Sequence, residues 1–178
     1  MNGLRLVAAA PTPALRQALF GGDQNLDEGG RNAAAALAPR FARVPAWVAA
    51  PSRAARQTAA ALGGLAATAD ALADPPYGEW DGRSLADIDP GDLHEWLSDP
   101  GYTPPGGESL THVRDRAGAW LDQQAGQTLV AVAHPTVVRA AVAHALRLPA
   151  DGIWTIEVAP LATVHLTHRS GRWHLSLS

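Results

Sequence analysis

Short apolar runs alternate with longer segments of mixed polarity along most of the chain. The apolar runs have the length of buried strands and lie at residues 4–9, 46–50, 65–69 and 128–133. The segments between them end near Gly or Pro and are predicted as helices at residues 27–38, 52–64, 108–124 and 135–146. Periodicity alone leaves a helix open for residues 4–9. From residue 153 onward, two or three strand-like runs surround a turn at Ser170 and Gly171.

This alternation predicts an α/β fold, specifically a three-layer α/β/α sandwich with a mostly parallel central sheet. The chain has 178 residues, which is the size of one domain, so we expect residues 1–178 to form a single domain. In such sheets, binding and catalytic sites form at the carboxyl ends of the strands. Candidate functional residues are therefore those that directly follow the predicted strands.

Residues 74–107 depart from the alternation because they are rich in Pro, Gly and Asp. One short helix is predicted within them, at residues 91–97. Segments this long in compact domains commonly act as lids or binding loops, so we predict a lid-like excursion here. Trp80 and Trp96 are expected to pack in the core and the lid, and they are also candidates for lining a pocket.

Composition narrows the classes of function. Apolar residues make up 47% of the chain and the net charge is −3, which indicates neither a nucleic-acid surface nor a polybasic membrane patch. The chain has no cysteine, which excludes disulfides, thiolate metal sites and cysteine nucleophiles. No apolar run approaches the roughly 18–20 residues of a membrane span. We expect a cytoplasmic protein with no cofactor and no metal site.

Four sequence motifs follow predicted strands or begin predicted helices. They are Leu-Val-Ala-Ala-Ala-Pro-Thr at residues 6–12, Arg-Ala-Ala-Arg-Gln-Thr-Ala at 53–59, Gly-Glu-Trp-Asp-Gly at 78–82, and Gly-Gly-Glu-Ser at 106–109 followed by Ala-His-Pro-Thr at 133–136. Their order and spacing resemble the histidine phosphatase superfamily, the phosphoglycerate mutase-like proteins, over nearly the whole chain. The resemblance implies the phosphoglycerate mutase-like fold and an origin among phosphatases or phosphomutases.

The resemblance also implies a mechanism. In that family a histidine after the first strand attacks phosphorus, a second histidine and two arginines bind the phosphoryl group, and a carboxylic acid protonates the leaving oxygen. Carried onto this chain, the nucleophile position falls on Ala9 and the arginine positions fall on Ala8 and Ala54. The second histidine matches His134 and the acid matches Asp74, although a structural histidine and a turn carboxylate are the alternatives for these two. The chain is therefore predicted to be a divergent member that lacks the nucleophilic histidine.

Two further arginines are candidates to replace the missing cations. Arg53 begins its helix and Arg16 follows the first loop, although solvated surface arginines are the simpler interpretation of both. Glu108 is expected to support its own helix start and to anchor a loop rather than to contact a ligand. The predicted ligand-contacting positions are Ala8, Ala9, Thr12, Arg16, Arg53, Ala54 and Pro135.

Three hypotheses for the function stay open. We favour a pseudoenzyme that binds a small phosphorylated or other anionic ligand, or a partner, without phosphohistidine chemistry. The second is a phosphomonoester phosphatase in which His134 or Asp74 activates water without a covalent intermediate. The third is a scaffold that acts through protein contacts, including a homodimer. Natural divergence is the simpler origin of Ala9, and a knockout made in an already divergent branch would give the same residue.

Overall fold

Six strands form one sheet in the computed structural model, which describes residues 3–176. The strands are β1 Leu4–Ala8, β2 Trp47–Ala49, β3 Ala67–Thr68, β4 Leu129–Ala133, β5 Thr163–Arg169 and β6 Arg172–Ser176. Their order is β3-β2-β4-β1-β5-β6. The first four are parallel, and β5 and β6 are antiparallel at one edge. The predicted α/β fold with a mostly parallel central sheet is confirmed.

Helices flank this sheet and form the outer layers of the sandwich. They are α1 Pro13–Arg16, α2 Glu28–Leu37, α3 Arg53–Ala61, α4 Pro90–Ser98, α5 Leu110–Gln123 and α6 Pro135–Ala145. Short 3₁₀ helices lie at Ala38–Phe41, Asp70–Leu72, Gly78–Trp80, Leu85–Asp87 and Ala150–Thr155. Helix α2 packs against α3, and α5 packs against α6. No helix within residues 3–176 is both long and apolar enough to cross a membrane.

The central strands explain why the site forms where it does. All five residues of β4 are buried, because β4 lies between β1 and β2 under helices, and this is why its sequence shows no polar alternation. Strand β1 is in register with β4, so that Ala8 pairs with Ala133. Both strands therefore end at the same level, and the residues that follow them, Ala9 and His134, lie side by side.

Local details differ from the sequence prediction. The predicted strand at residues 65–69 is reduced to Ala67–Thr68, an exposed pair at the sheet edge. The helix predicted from residue 108 begins at Leu110, because the Ser109 side chain accepts a hydrogen bond from the His112 amide (3.2 Å) and so caps it. Helix α1 was not predicted, since four residues are too few to show helical periodicity. Residues 150–155 form a 3₁₀ helix rather than part of a strand.

The excursion at residues 74–107 is built around buried aromatic rings. Helix α4 lies where the short helix was predicted. Trp96 packs against Phe20 (5.5 Å between ring centroids) and Trp154 (5.0 Å), and Trp80 is buried beside it. Both tryptophans pack in the core as expected, and neither is a residue of the cavity wall described below. Lid-like movement of this segment stays a prediction.

Two of the sequence motifs touch through their glycines. Gly78 has a φ of 60°, and a Cβ at this position would lie 2.0 Å from the carbonyl oxygen of Pro105. The Glu79 amide donates to that same oxygen (2.9 Å), and the Glu108 amide donates to the carbonyl of Pro76 (2.9 Å). Because the two backbones approach too closely for a side chain, glycine is required at this contact.

Candidate active site

A cavity of about 350 Å³ opens at the carboxyl ends of β1, β2 and β4. Its wall is mostly small or apolar. These wall residues are Ala9, Ala10, Leu15, Leu19, Gly21, Gly22, Pro51, Ala54, Ala73, Pro75, Pro76 and Pro135. The polar wall residues are Thr12, Asp23, Ser52, Asp74, Tyr77, Asp81 and His134.

The segment after β1 forms one side of the cavity. The Ala9 amide donates to the carbonyl of Ala133 (2.8 Å), which continues the β1–β4 pairing for one more residue. Ala9 is a residue of the wall, although it is also almost fully buried in the core, and its side chain is only a methyl group. Ala8 does not line the cavity, because its side chain is fully buried in the core. Thr12 caps α1 by accepting a hydrogen bond from the Leu15 amide (3.2 Å).

Helix α3 forms the opposite side of the cavity. Its residues Gln57 and Thr58 belong to the second sequence motif and hold the segment after β1 in place. Thr58 Oγ1 accepts a hydrogen bond from the Ala10 amide (2.9 Å) and donates to the carbonyl of Ala54 (2.7 Å). Gln57 Oε1 accepts from the Leu26 amide (2.8 Å). These residues clamp two loops onto the helix, and nothing in the sequence pattern indicated this role. Ala54 is a residue of the wall, and its side chain is only a methyl group.

His134 precedes α6 and lies in the wall between the two sides. Its Nδ1 accepts a hydrogen bond from the Thr136 amide (3.2 Å), which a protonated Nδ1 could not do. Burial lowers the pKa of His134, although the nearby charge of Asp74 opposes this. The ring is therefore neutral near pH 7, and its proton is on Nε2. That nitrogen has no hydrogen-bond acceptor among residues 3–176.

Asp74 lies on the same cavity as His134 and interacts with it electrostatically. Burial raises the pKa of Asp74, and the proximity of His134 and a hydrogen bond from Ser52 Oγ (3.2 Å) partly offset this effect. Tyr77 closes the cavity nearby, and burial raises its pKa to about 12, so its hydroxyl stays protonated. The structure thus brings together the two residues that the sequence singled out as catalytic candidates.

A buried ion pair positions the chain that leads to Asp74. The Arg116 guanidinium contacts both oxygens of Glu108 (2.7 and 2.8 Å). The same group donates to the carbonyls of Ala71 and Ala73 (2.8 Å each). Glu108 is therefore a loop anchor, in agreement with the sequence analysis, although Ser109 supplies the helix cap. Arg116 was missed because an arginine within an amphipathic helix looks like an exposed residue.

Arg16 and Arg53 do not lie in the wall of the cavity. Arg16 pairs with Asp27 at the surface. Asp23 accepts a hydrogen bond from the Arg53 amide (2.6 Å), and its other oxygen lies 3.6 Å from Arg53 Nε. The side chain of Arg53 remains 56% exposed. Of the predicted ligand-contacting positions, the wall contains Ala9, Thr12, Ala54 and Pro135, whereas Ala8, Arg16 and Arg53 lie outside it.

The wall carries carboxylates where a phosphate site carries cations. All 14 basic residues of the chain are arginines, and within residues 3–176 none of them lines the cavity. Asp23, Asp74 and Asp81 do line it, and the sequence motifs had pointed only to Asp74. The described part of the chain also contains no group of three or more His, Asp or Glu side chains placed to hold a metal ion. The described wall therefore offers no arginine to neutralise the charge of a phosphoryl group.

Comparison with solved structures shows the same architecture in phosphatases. The chain superposes on mycobacterial glucosyl-3-phosphoglycerate phosphatase in complex with VO₃ with a TM-score of 0.89 at 25% identity, covering 99% of this chain and 98% of that one. It superposes on a protein described as mycobacterial hydrolase 1 with a TM-score of 0.88 at 25% identity, covering 99% and 97%.

Sequence comparison gives a short match to a curated protein and a long match to a family model. The chain is 36% identical over 78 residues to a bifunctional protein of Mycobacterium tuberculosis, which is 39% of this chain and 21% of that protein. The matched stretch thus spans about a fifth of the curated relative. A model of the histidine phosphatase superfamily (branch 1) matches residues 12–178 and begins just after the Ala8–Ala10 segment. The resemblance drawn from the four motifs is confirmed, and the chain belongs to the histidine phosphatase superfamily (branch 1).

Proposed function

We propose that this chain is a pseudoenzyme of the superfamily, which uses its cavity to bind a ligand without phosphohistidine chemistry. The observation that carries the proposal is the wall itself, in which Ala9 and Ala54 occupy the positions that the motifs assign to the nucleophile and an arginine. Alanine has no lone pair with which to attack phosphorus. The other position that the motifs assign to an arginine is Ala8, which is fully buried in the core.

The missing cations matter as much as the missing nucleophile. A hydrogen bond to a charged group contributes about 1.5–3 kcal/mol, so two absent arginines remove about 3–6 kcal/mol of phosphate binding. This corresponds to a loss of affinity of roughly a hundredfold to ten-thousandfold. Arg16 and Arg53 do not line the cavity, because Arg16 is paired with Asp27 at the surface and Arg53 is paired with Asp23 at the cavity mouth.

A second candidate function is hydrolysis by direct activation of water, and the shared cavity of His134 and Asp74 favours it. The tautomer of His134 argues against that residue as the base, since its Nδ1 lone pair already accepts the Thr136 amide and its Nε2 carries a proton. Asp74 is then the remaining base, with its pKa raised by burial. Of the two candidate functions, only this second one would share the phosphatase activity of the structural relatives.

The test is turnover of p-nitrophenyl phosphate and of a panel of phosphometabolites, together with intact-mass detection of a phosphoenzyme. The pseudoenzyme predicts neither product nor phosphoenzyme. Turnover without a phosphoenzyme that is abolished in both Asp74→Ala and His134→Ala would establish the hydrolase instead. His94→Ala is the matched control, because His94 is exposed on α4 and lies outside the cavity. The predicted homodimer is checked by the mass of the full chain in solution.

A further inference from the structure

Three aspartates and no arginine line the described wall of the cavity. Asp74 is deep in the cavity, and Asp23 and Asp81 are exposed at its mouth. Asp23 is paired with Arg53, whereas Asp74 and Asp81 have no ion-pair partner within the described residues. Two unpaired carboxylates therefore face a space that a phosphate dianion would have to enter against their repulsion.

Two further arginines, which lie near Asp74 and His134, are engaged in other contacts. Arg116 is occupied by Glu108 and by two backbone carbonyls behind Asp74. Arg139 packs over the ring of Trp154 (5.8 Å from guanidinium carbon to ring centroid) and is not part of the wall. Moving either arginine into the cavity would break these contacts. The cavity wall therefore keeps its negative charge in the folded protein.

An independent feature of the wall is a donor without an acceptor. His134 must carry its proton on Nε2, because Nδ1 accepts the Thr136 amide, and no side chain or carbonyl within residues 3–176 accepts from Nε2. The N–H group belongs to a residue of the cavity wall, so a ligand in the cavity can supply the acceptor. This requirement does not depend on the carboxylates.

The remaining wall is suited to a small organic molecule. Leu15, Leu19 and the adjacent prolines offer apolar contact, and a volume of about 350 Å³ is at the lower end of the range of small-molecule pockets. The Ser52 and Tyr77 hydroxyls add polar groups beside Asp74. Such a combination accommodates a compact carbon framework that carries several polar substituents.

We infer that the cavity binds a small organic ammonium compound with a neighbouring hydroxyl or carbonyl oxygen, and that it excludes phosphate esters. The ammonium group lies against Asp74, with Asp81 attracting it at the mouth. The hydroxyl or carbonyl oxygen accepts the hydrogen bond from His134 Nε2. This inference rests on the proposed function, because it assumes a cavity that binds rather than hydrolyses.

The experiment is calorimetric titration of the full chain with compounds that share a framework and differ in charge. One set is glucosamine, glucose and glucose 6-phosphate, and a second is ethanolamine, ethylene glycol and ethylene glycol monophosphate. In each set we expect the amine to bind more tightly than the neutral compound, and the phosphate to bind least. Tighter binding of the phosphate, or no binding of either amine at millimolar concentration, would overturn the inference.

Two variants locate the binding. Asp74→Asn is expected to weaken amine binding about tenfold or more, because it removes a charge-assisted hydrogen bond. Asp115→Asn, which changes an exposed carboxylate on α5 outside the cavity, should leave the affinity unchanged. Equal effects of the two variants would contradict the assigned position. Thermal unfolding of each variant shows whether it is folded, and phosphate binding without turnover would refute this inference while leaving the pseudoenzyme intact.

Discussion

The buried Arg116–Glu108 pair should be the most sensitive point in the support of the cavity. The side chains of Arg116 and Glu108 are only 18% and 9% exposed, and Arg116 makes four hydrogen bonds to Glu108 and to the carbonyls of Ala71 and Ala73. Arg116→Met keeps much of the aliphatic volume and removes every one of these donors. It leaves a buried carboxylate and two carbonyls without their partner.

Breaking a buried pair on one side costs about 3–5 kcal/mol, most of which is the penalty of the unpaired charge. The exposed His112 ring, with its Nδ1 3.0 Å from Glu108 Oε1, can offset part of this penalty, so we expect the lower half of that range. For a chain of this size, about 3–4 kcal/mol corresponds to a decrease in Tm of roughly 6–16 °C. The decrease should be accompanied by weaker ligand binding, because the chain leading to Asp74 loses its anchor.

Urea denaturation followed by fluorescence measures the free energy of unfolding of Arg116→Met against the wild type. Adding Glu108→Gln to Arg116→Met should recover part of the loss, because it removes the unpaired charge, and the double-mutant cycle then gives the coupling energy. Arg56→Met, at an exposed position of α3, is the control and should stay within about 0.5 kcal/mol of the wild type. A loss below about 1 kcal/mol in Arg116→Met would refute the reasoning.

Three further changes test other parts of the structure. Gly78→Ala should cost more than about 2 kcal/mol by urea denaturation, whereas Gly82→Ala, which also has a positive φ but no atom within 4 Å of its Cβ position, should cost only about 1 kcal/mol; equal losses would contradict the close approach to Pro105. Thr58→Val should cost about 1–3 kcal/mol by removing the clamp on the β1 loop, against a negligible change for exposed Thr68→Val. Since burial raises the folded-state pKa of Asp74 above its unfolded value, its ionisation opposes folding as the pH rises. Asp74→Asn should therefore gain stability over the wild type as the pH rises above about 4, and a gain that shrinks as the pH rises would contradict the sign.

The elements that the sequence predicts best are those whose burial is uniform. Strand β4 is buried at all five positions, which agrees with its uninterrupted apolar run. Because Pro135 marks the start of α6, this run is too short for a helix of its own. Strand β3 was predicted too long, because Leu65 is apolar yet 98% exposed at the sheet edge. Local hydrophobicity cannot register such a position, since its exposure depends on whether another strand continues the sheet.

The side-chain directions at the site were beyond the reach of the sequence. Arg53 and Arg16 were reasonable candidates for the cavity, but each is held by a carboxylate more than ten positions away, Asp23 and Asp27 respectively. Pairing of this kind is decided by tertiary structure. Asp81 was part of a recognised motif, yet only the fold shows that it shares a wall with Asp74.

The signature residues that are present and those that are absent differ in what they contact. Thr58, Gly78 and Glu108 hold backbone segments together through hydrogen bonds or close approach. Ala9 and Ala54 are residues of the cavity wall whose side chains are only methyl groups. None of the backbone contacts described above depends on a longer side chain at these two positions, so the fold can form with alanine at both. For this reason the fold could be identified from the motifs, whereas the function has to be decided by the charges that face the cavity.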